Sequence, residues 1–104
     1  MQIAVIDIGS NSIRYMEAGL CGSRPVFSRK EVFTTRLATG LSESGKLSER
    51  AMQSSLCVLS TLARRAENAG LSCAAYATSA VRDADNRAEF LSAVSATAHI
   101  AVQV

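Results

Sequence analysis

The stretch IAVIDIGSNS, residues 3–12, decides how the rest of the chain is read. Ile3, Ala4, Val5 and Ile6 form an apolar run without alternation, which predicts a strand covered on both sides of a sheet. In sheets of this kind ligands bind in the crevice beyond the carboxyl ends of the strands. Gly9 permits a sharp turn and a close approach of backbone to ligand. Ser10, Asn11 and Ser12 add hydroxyl and amide donors to the backbone N–H groups, and such a turn suits an anion. The Asp7 carboxylate would repel a phosphate by itself. The combination is coherent if a divalent cation lies between them, typically Mg²⁺ that keeps several waters. The same residue types also serve an ordinary hairpin turn, and the chain contains neither GxxxxGK nor GxGxxG.

A length of 104 residues suits one small domain, and 48% hydrophobic residues are enough for a core. Aromatics make up only 5%, so that core must be mostly aliphatic. The net charge of +2 argues against nucleic acid, and the basic residues are scattered, with the pairs Arg29-Lys30 and Arg64-Arg65 but no basic tract. Cys21, Cys57 and Cys73 are odd in number and form no CxxC, which reads as buried or half-buried thiols in a reducing compartment. His99 is the one histidine and reads as a helix-end residue. No apolar run is long enough to span a bilayer, and Asp7 interrupts the first one, so neither an anchor nor a signal peptide is expected and the location reads as cytoplasmic.

Residues 13–19 read as a second strand, antiparallel to the first because the connection is too short for a crossover. Ile13, Tyr15 and Glu17 share one face, Arg14, Met16 and Ala18 the other. Residues 25–34 begin with Pro and carry Arg29, Lys30 and Glu31, which marks an edge strand. Residues 35–47 read as a loop, with Arg36 where the chain leaves the sheet; a guanidinium there suits a phosphate, and equally suits solvent. Ser48 starts a helix that Gly70 ends, with Met52, Leu56, Leu59, Leu62, Ala66 and Ala69 as its apolar stripe. Residues 73–78 then read as a strand parallel to the first, so Thr78, Ser79 and Arg82 leave the sheet on the side of the Gly9 turn. Asn86 and Glu89 form a capping-box pattern at the start of a second helix, whose buried face is Phe90, Leu91, Val94 and Ala98. Residues 100–104 read as a last parallel strand with an uncovered apolar edge, which predicts dimers or aggregation and a chain that continues past Val104.

The order β-β-β-α-β-α-β matches the first half of an actin-like (ribonuclease-H-like) ATPase domain, an α/β subdomain with a mixed five-stranded sheet: three antiparallel N-terminal strands and two more parallel to the first. Three segments sharpen this: AVIDIGSNSIR at residues 4–14, TRLATGLSESGKLS at 35–48 and ATSAVRDADN at 77–86. In order and spacing they resemble the Ppx/GppA phosphatase family of exopolyphosphatases and guanosine pentaphosphate phosphatases. The resemblance implies a two-lobed enzyme that uses Mg²⁺ and water to hydrolyse a terminal phosphoanhydride, with residues 1–104 the first part of its N-terminal subdomain. It implies that Asp7 holds the metal through water, that Gly9, Ser10, Asn11 and Ser12 face the phosphates, and that Arg82 and Arg36 face the same cleft. The partners it implies are polyphosphate or guanosine pentaphosphate and the second lobe of the same chain, with a homodimer as an option and no nucleic acid or membrane.

No general base is evident. The family's catalytic glutamate and second phosphate loop follow the strand that here ends at Val104, so these residues by themselves are expected to be inactive. Two readings compete: an actin-like sugar or acetate kinase or related ATPase sharing the first phosphate loop, against which TSAVRDA speaks, and a short non-catalytic binding module.

Overall fold

The computed structural model describes residues 2–104. Strand β1 (Gln2–Ile8), β2 (Ser12–Cys21) and β3 (Arg24–Thr34) form an antiparallel meander, and helices α1 (Leu41–Ser44) and α2 (Glu49–Asn68) follow. Then come β4 (Ser72–Ala77), α3 (Ser79–Asp83), α4 (Arg87–Ala98) and β5 (Val102–Gln103). The sheet order is β3-β2-β1-β4-β5, with β4 parallel to both β1 and β5. The expected mixed α/β sheet is therefore present, with all five strands in their expected senses.

The helices α2 and α4 pack on one face of the sheet, where Ala4, Ile6 and Ile8 of β1 and Ile13 and Tyr15 of β2 are buried. Ile3, Val5 and Asp7 point the other way and are only half-buried. The unbroken apolar run of β1 thus does not mean two covered faces among the described residues. It means one sealed face and one partly open. From the helices, Leu59, Leu62, Phe90 and Val94 are fully buried, each contributing about 1.5–3 kcal/mol by removal from water. The stripe of α2 also takes in Ala51 and Ser55, whereas Ala69 lies exposed at the C-cap. Ser55 is fully buried with its hydroxyl unpartnered, a position that the 3.6-residue period marks but residue polarity hides.

Other expectations are corrected. The loop after β3 contains the single-turn helix α1, and the segment after β4 is the short helix α3. The capping box at Asn86 does not form, because its side chain is engaged elsewhere. Asn86 Oδ1 accepts from the Leu47 N–H at 2.9 Å, and Nδ2 donates to the Leu47 carbonyl at 3.0 Å. One residue earlier, the Asp85 N–H donates to the Gly45 carbonyl at 2.8 Å. Gly45 has a φ of 74°, the left-handed region that favours glycine, and a Cβ there would also displace the exposed Asp85 carboxylate 2.9 Å away. The loop before α2 is thereby strapped to the loop before α4. Ser48 does cap α2, accepting from the Ala51 N–H at 3.1 Å, and His99 ends α4 in the left-handed region, donating its N–H to Ser95. Cys21 and Cys57 are exposed rather than buried; only Cys73 is half-buried, and burial raises its thiol pKa. Strand β5 is shorter than expected and stops before the exposed Val104.

Tyr15 joins the sheet to α2. Its ring is buried, its hydroxyl donates to Glu17 at 2.7 Å, and the Arg65 guanidinium lies 5.6 Å from the ring centroid. Arg65 is held in turn by an ion pair with Glu31. Burial, then the neighbouring Glu17, push the Tyr15 pKa up to about 12.

Two outcomes are expected. Asn86→Ala strands the buried N–H and C=O of Leu47, so the free energy of unfolding should fall by about 2 kcal/mol in chemical denaturation. Tyr15 is held protonated in the folded state, so its contribution is complete below pH 10 and is lost as pH rises towards about 12. In Tyr15→Phe the decline of stability across that window should flatten.

Candidate phosphate site

The pairing of β1 with β4 is parallel and in register from Ile3↔Ser72 to Ile8↔Ala77. Both strands therefore finish at one level, and the turns that follow them meet there. The Thr78 N–H donates to the Ile8 carbonyl at 3.3 Å, and the hydroxyls of Ser10 and Ser79 lie 3.2 Å apart. The sequence by itself marks Ser79 only as part of a polar loop. The fold makes it the direct neighbour of Ser10, a signal available only once the strand register is known.

The first turn is organised by its carbonyls. Gly9 donates its N–H to the Ser12 carbonyl at 3.0 Å. A Cβ on Gly9 would lie 3.1 Å from that oxygen, so glycine is needed for close approach and not for a left-handed backbone. The Asn11 carbonyl accepts from Thr35 and Arg36, and the Ser10 carbonyl accepts from Ala38. Residues 35–38 are thus clamped beneath the turn. With its carbonyls satisfied from below, the turn keeps the N–H groups of Ser10 and Asn11 without an acceptor among the described residues. That is the polarity an anion needs.

Ser10, Asn11, Thr34, Arg36, Ala38 and Thr39 line one open groove of about 400 Å³. Arg36 adopts a φ of 52°, a left-handed conformation unusual for a side-chain-bearing residue, and its own N–H is bonded to Asn11 at 2.9 Å. The clamp therefore sets where its exposed guanidinium starts. Ser12 begins β2 and contributes its carbonyl to Gly9.

Two expected residues stand apart from this groove. Asp7 lies in β1 on the helix-free face, in register with Arg14 on β2 and Tyr76 on β4, and no cation lies within ion-pair distance of it among the described residues. Arg82, on α3, is exposed; its Nε lies 3.4 Å from Asp83, and its carbonyl accepts from Arg87. Its helix begins at the Ser10–Ser79 contact, but its side chain does not line the groove with Arg36. No cluster of three His, Cys, Asp or Glu residues that could hold a metal occurs among the described residues. No helix there is long and apolar enough to cross a membrane.

Residues 12–104 match the Ppx/GppA phosphatase family. The chain is 35% identical over 98 residues to exopolyphosphatase 1 of Mycobacterium tuberculosis, a match covering 90% of this chain and 28% of the relative. It is 32% identical to exopolyphosphatase 1 of Mycobacterium leprae, covering all of this chain and 31% of that protein. The chain thus spans under a third of the length of these curated relatives. Among solved structures, an Aquifex aeolicus Ppx/GppA family member superposes with a TM-score of 0.96 at 30% identity, over the whole chain and 34% of the other. An exopolyphosphatase from Cytophaga hutchinsonii superposes with a TM-score of 0.93 at 25% identity, over 98% of this chain and 33% of that one. The turn at residues 9–11 precedes the family match in sequence but lies within the superposition on the Aquifex structure. By the breadth of the match, and by a fold and loop arrangement held in common, the chain belongs to the Ppx/GppA phosphatase family.

Proposed function

We propose that these residues form the N-terminal, phosphate-gripping part of an exopolyphosphatase-type phosphohydrolase. It releases terminal phosphate from inorganic polyphosphate or guanosine pentaphosphate with Mg²⁺ and water. The observation that carries this reading is the meeting of the Ser10 and Ser79 hydroxyls at the common carboxyl end of β1 and β4. Two hydroxyls in contact consume one proton between them and leave the other free to point outward. Together with the free N–H groups of Ser10 and Asn11 and the Arg36 guanidinium, they would offer an anion several donors, and no carboxylate lines the groove that Ser10, Asn11 and Arg36 share.

Phosphoryl transfer asks the protein chiefly for positioning and for stabilisation of spreading negative charge. The turn at residues 9–12 would hold the terminal phosphate by backbone donors, which need no reorganisation as charge develops. Arg36 would neutralise a neighbouring phosphate. Arg82, turning from Asp83, would reach the same ligand from α3. Asp7 fits Mg²⁺ as a single carboxylate beside a phosphate ligand, the mode in which this ion keeps most of its waters. When bound there, the ion would offset phosphate charge. Glu49 and Glu89 are exposed residues in the first turns of α2 and α4, so neither is proposed as the general base, which in this reading comes from the rest of the polypeptide. The reading therefore includes a second lobe of the same polypeptide, a cytoplasmic location, and no turnover by these 104 residues in isolation. Family membership sets the kinase reading aside.

The test is phosphate release by the full-length protein from both substrates, with and without Mg²⁺. Asp7→Ala should lower Mg²⁺-dependent release roughly tenfold or more; unchanged release by a folded variant removes Asp7 from the site. Arg82→Ala should raise KM about tenfold through loss of a charged contact, and an unchanged KM makes Arg82 structural. Ser10→Ala and Ser79→Ala should each raise KM, with a double-mutant coupling of about 0.5–1.5 kcal/mol. Strict additivity would mean that the two hydroxyls do not act on one ligand.

A further inference from the structure

The two dibasic pairs of the sequence, far apart along the chain, contribute to one place in the fold. Arg29 of β3 and Arg64 and Arg65 of α2 line a single groove of about 470 Å³, with Asn68 and Thr61 beside them. Two carboxylates lie by the cluster: Glu31, which Arg65 holds, and Glu17, which accepts from the Tyr15 hydroxyl under Arg65. Arg65 is also fixed from below by the Tyr15 ring. Arg29 reaches Glu31 only at 3.8 Å, and Arg64 has no acidic partner within ion-pair distance among the described residues. Three guanidiniums against two carboxylates still leave the groove with a net positive charge.

The placement of Arg29 is specific. The β2–β3 ladder shifts register between Tyr15 and Glu17, and opposite that shift Arg29 takes a φ of 51°. A bulge of this kind re-aims a side chain, and a left-handed non-glycine backbone persists only where the surroundings hold it. Cations late in α2 favour the helix C-terminus by themselves. That effect does not explain why a third arginine is brought to them from another element.

We infer that this groove is a second anion site, which takes the distal phosphates of a long polyphosphate chain whose end lies at the Ser10–Ser79 turns. The choice of ligand rests on the function proposed above. Thr34 lines the first groove and Arg29 the second. Five residues of strand separate them, about 17 Å at ~3.3 Å per residue. A ligand of three phosphates is shorter than that gap and engages one site at a time, whereas a long chain engages both and gains from the second as an intramolecular contact.

The test uses the full-length protein and the double variant R29S/R64Q, which spares Arg65 and its packing on Tyr15. Equilibrium binding of long-chain polyphosphate should weaken about tenfold or more in the variant, as for loss of charged hydrogen bonds. KM and kcat for tripolyphosphate should stay unchanged. Equal affinity of the two proteins for the long chain overturns the inference, as does a KM for tripolyphosphate that rises in the same proportion. Long single-stranded RNA that binds the protein as tightly as polyphosphate, and loses affinity equally in the variant, also overturns it in favour of an unselective cationic patch. Absence of phosphate release by the wild-type protein would instead count against the phosphohydrolase reading, since the binding comparison is read without turnover.

Discussion

The parallel, in-register pairing of β1 with β4 is the constraint on which the rest depends. Two strands from separate parts of the chain are held side by side so that Ile8 and Ala77 finish level. A parallel pair can be joined only through a crossover, and α2 supplies it. Everything that then leaves the sheet at that level is brought together: the turn after β1, the start of α3 after β4 and, through the clamp on Asn11, the loop after β3. A one-residue slip would separate the two serines and send the alternation of β1 to the wrong faces.

The asymmetry of the sheet gives that mouth its character. Both long helices lie on the face of Ala4, Ile6 and Ile8, and Asp7 lies on the other. Asp7 is accordingly not among the residues that line the groove where Ser10, Asn11 and Arg36 collect. The straps from Gly45 to Asp85 and from Leu47 to Asn86 hold the start of α2 near that of α4 at this same end of the molecule. These contacts tie together the two loops from which α2 and α4 start.

Cationic groups are distributed in the same spirit. Arg65 serves packing, as a lid on Tyr15 and a partner of Glu31. Its neighbour Arg64 has no acidic partner within ion-pair distance among the described residues, and Arg29 meets Glu31 only at 3.8 Å.

By itself the sequence determined the order of the five strands and the two long helices, though not the short helices α1 and α3, because hydrophobic period, the Ser48 cap and the Gly70 stop are local signals with local causes. It also determined that a donor-rich turn follows the first strand, and its three matched segments pointed to the family that the comparisons show. Only the tertiary structure decided that one face of β1 is sealed and the other only half-covered among the described residues, since an unbroken apolar run does not reveal which neighbours arrive. Long-range geometry alone made Asn86 a strap instead of a cap, set Ser79 against Ser10, left Arg82 turned to Asp83, and joined Arg29 to Arg64. Those outcomes depend on strand register and helix placement, and no local signal carries either.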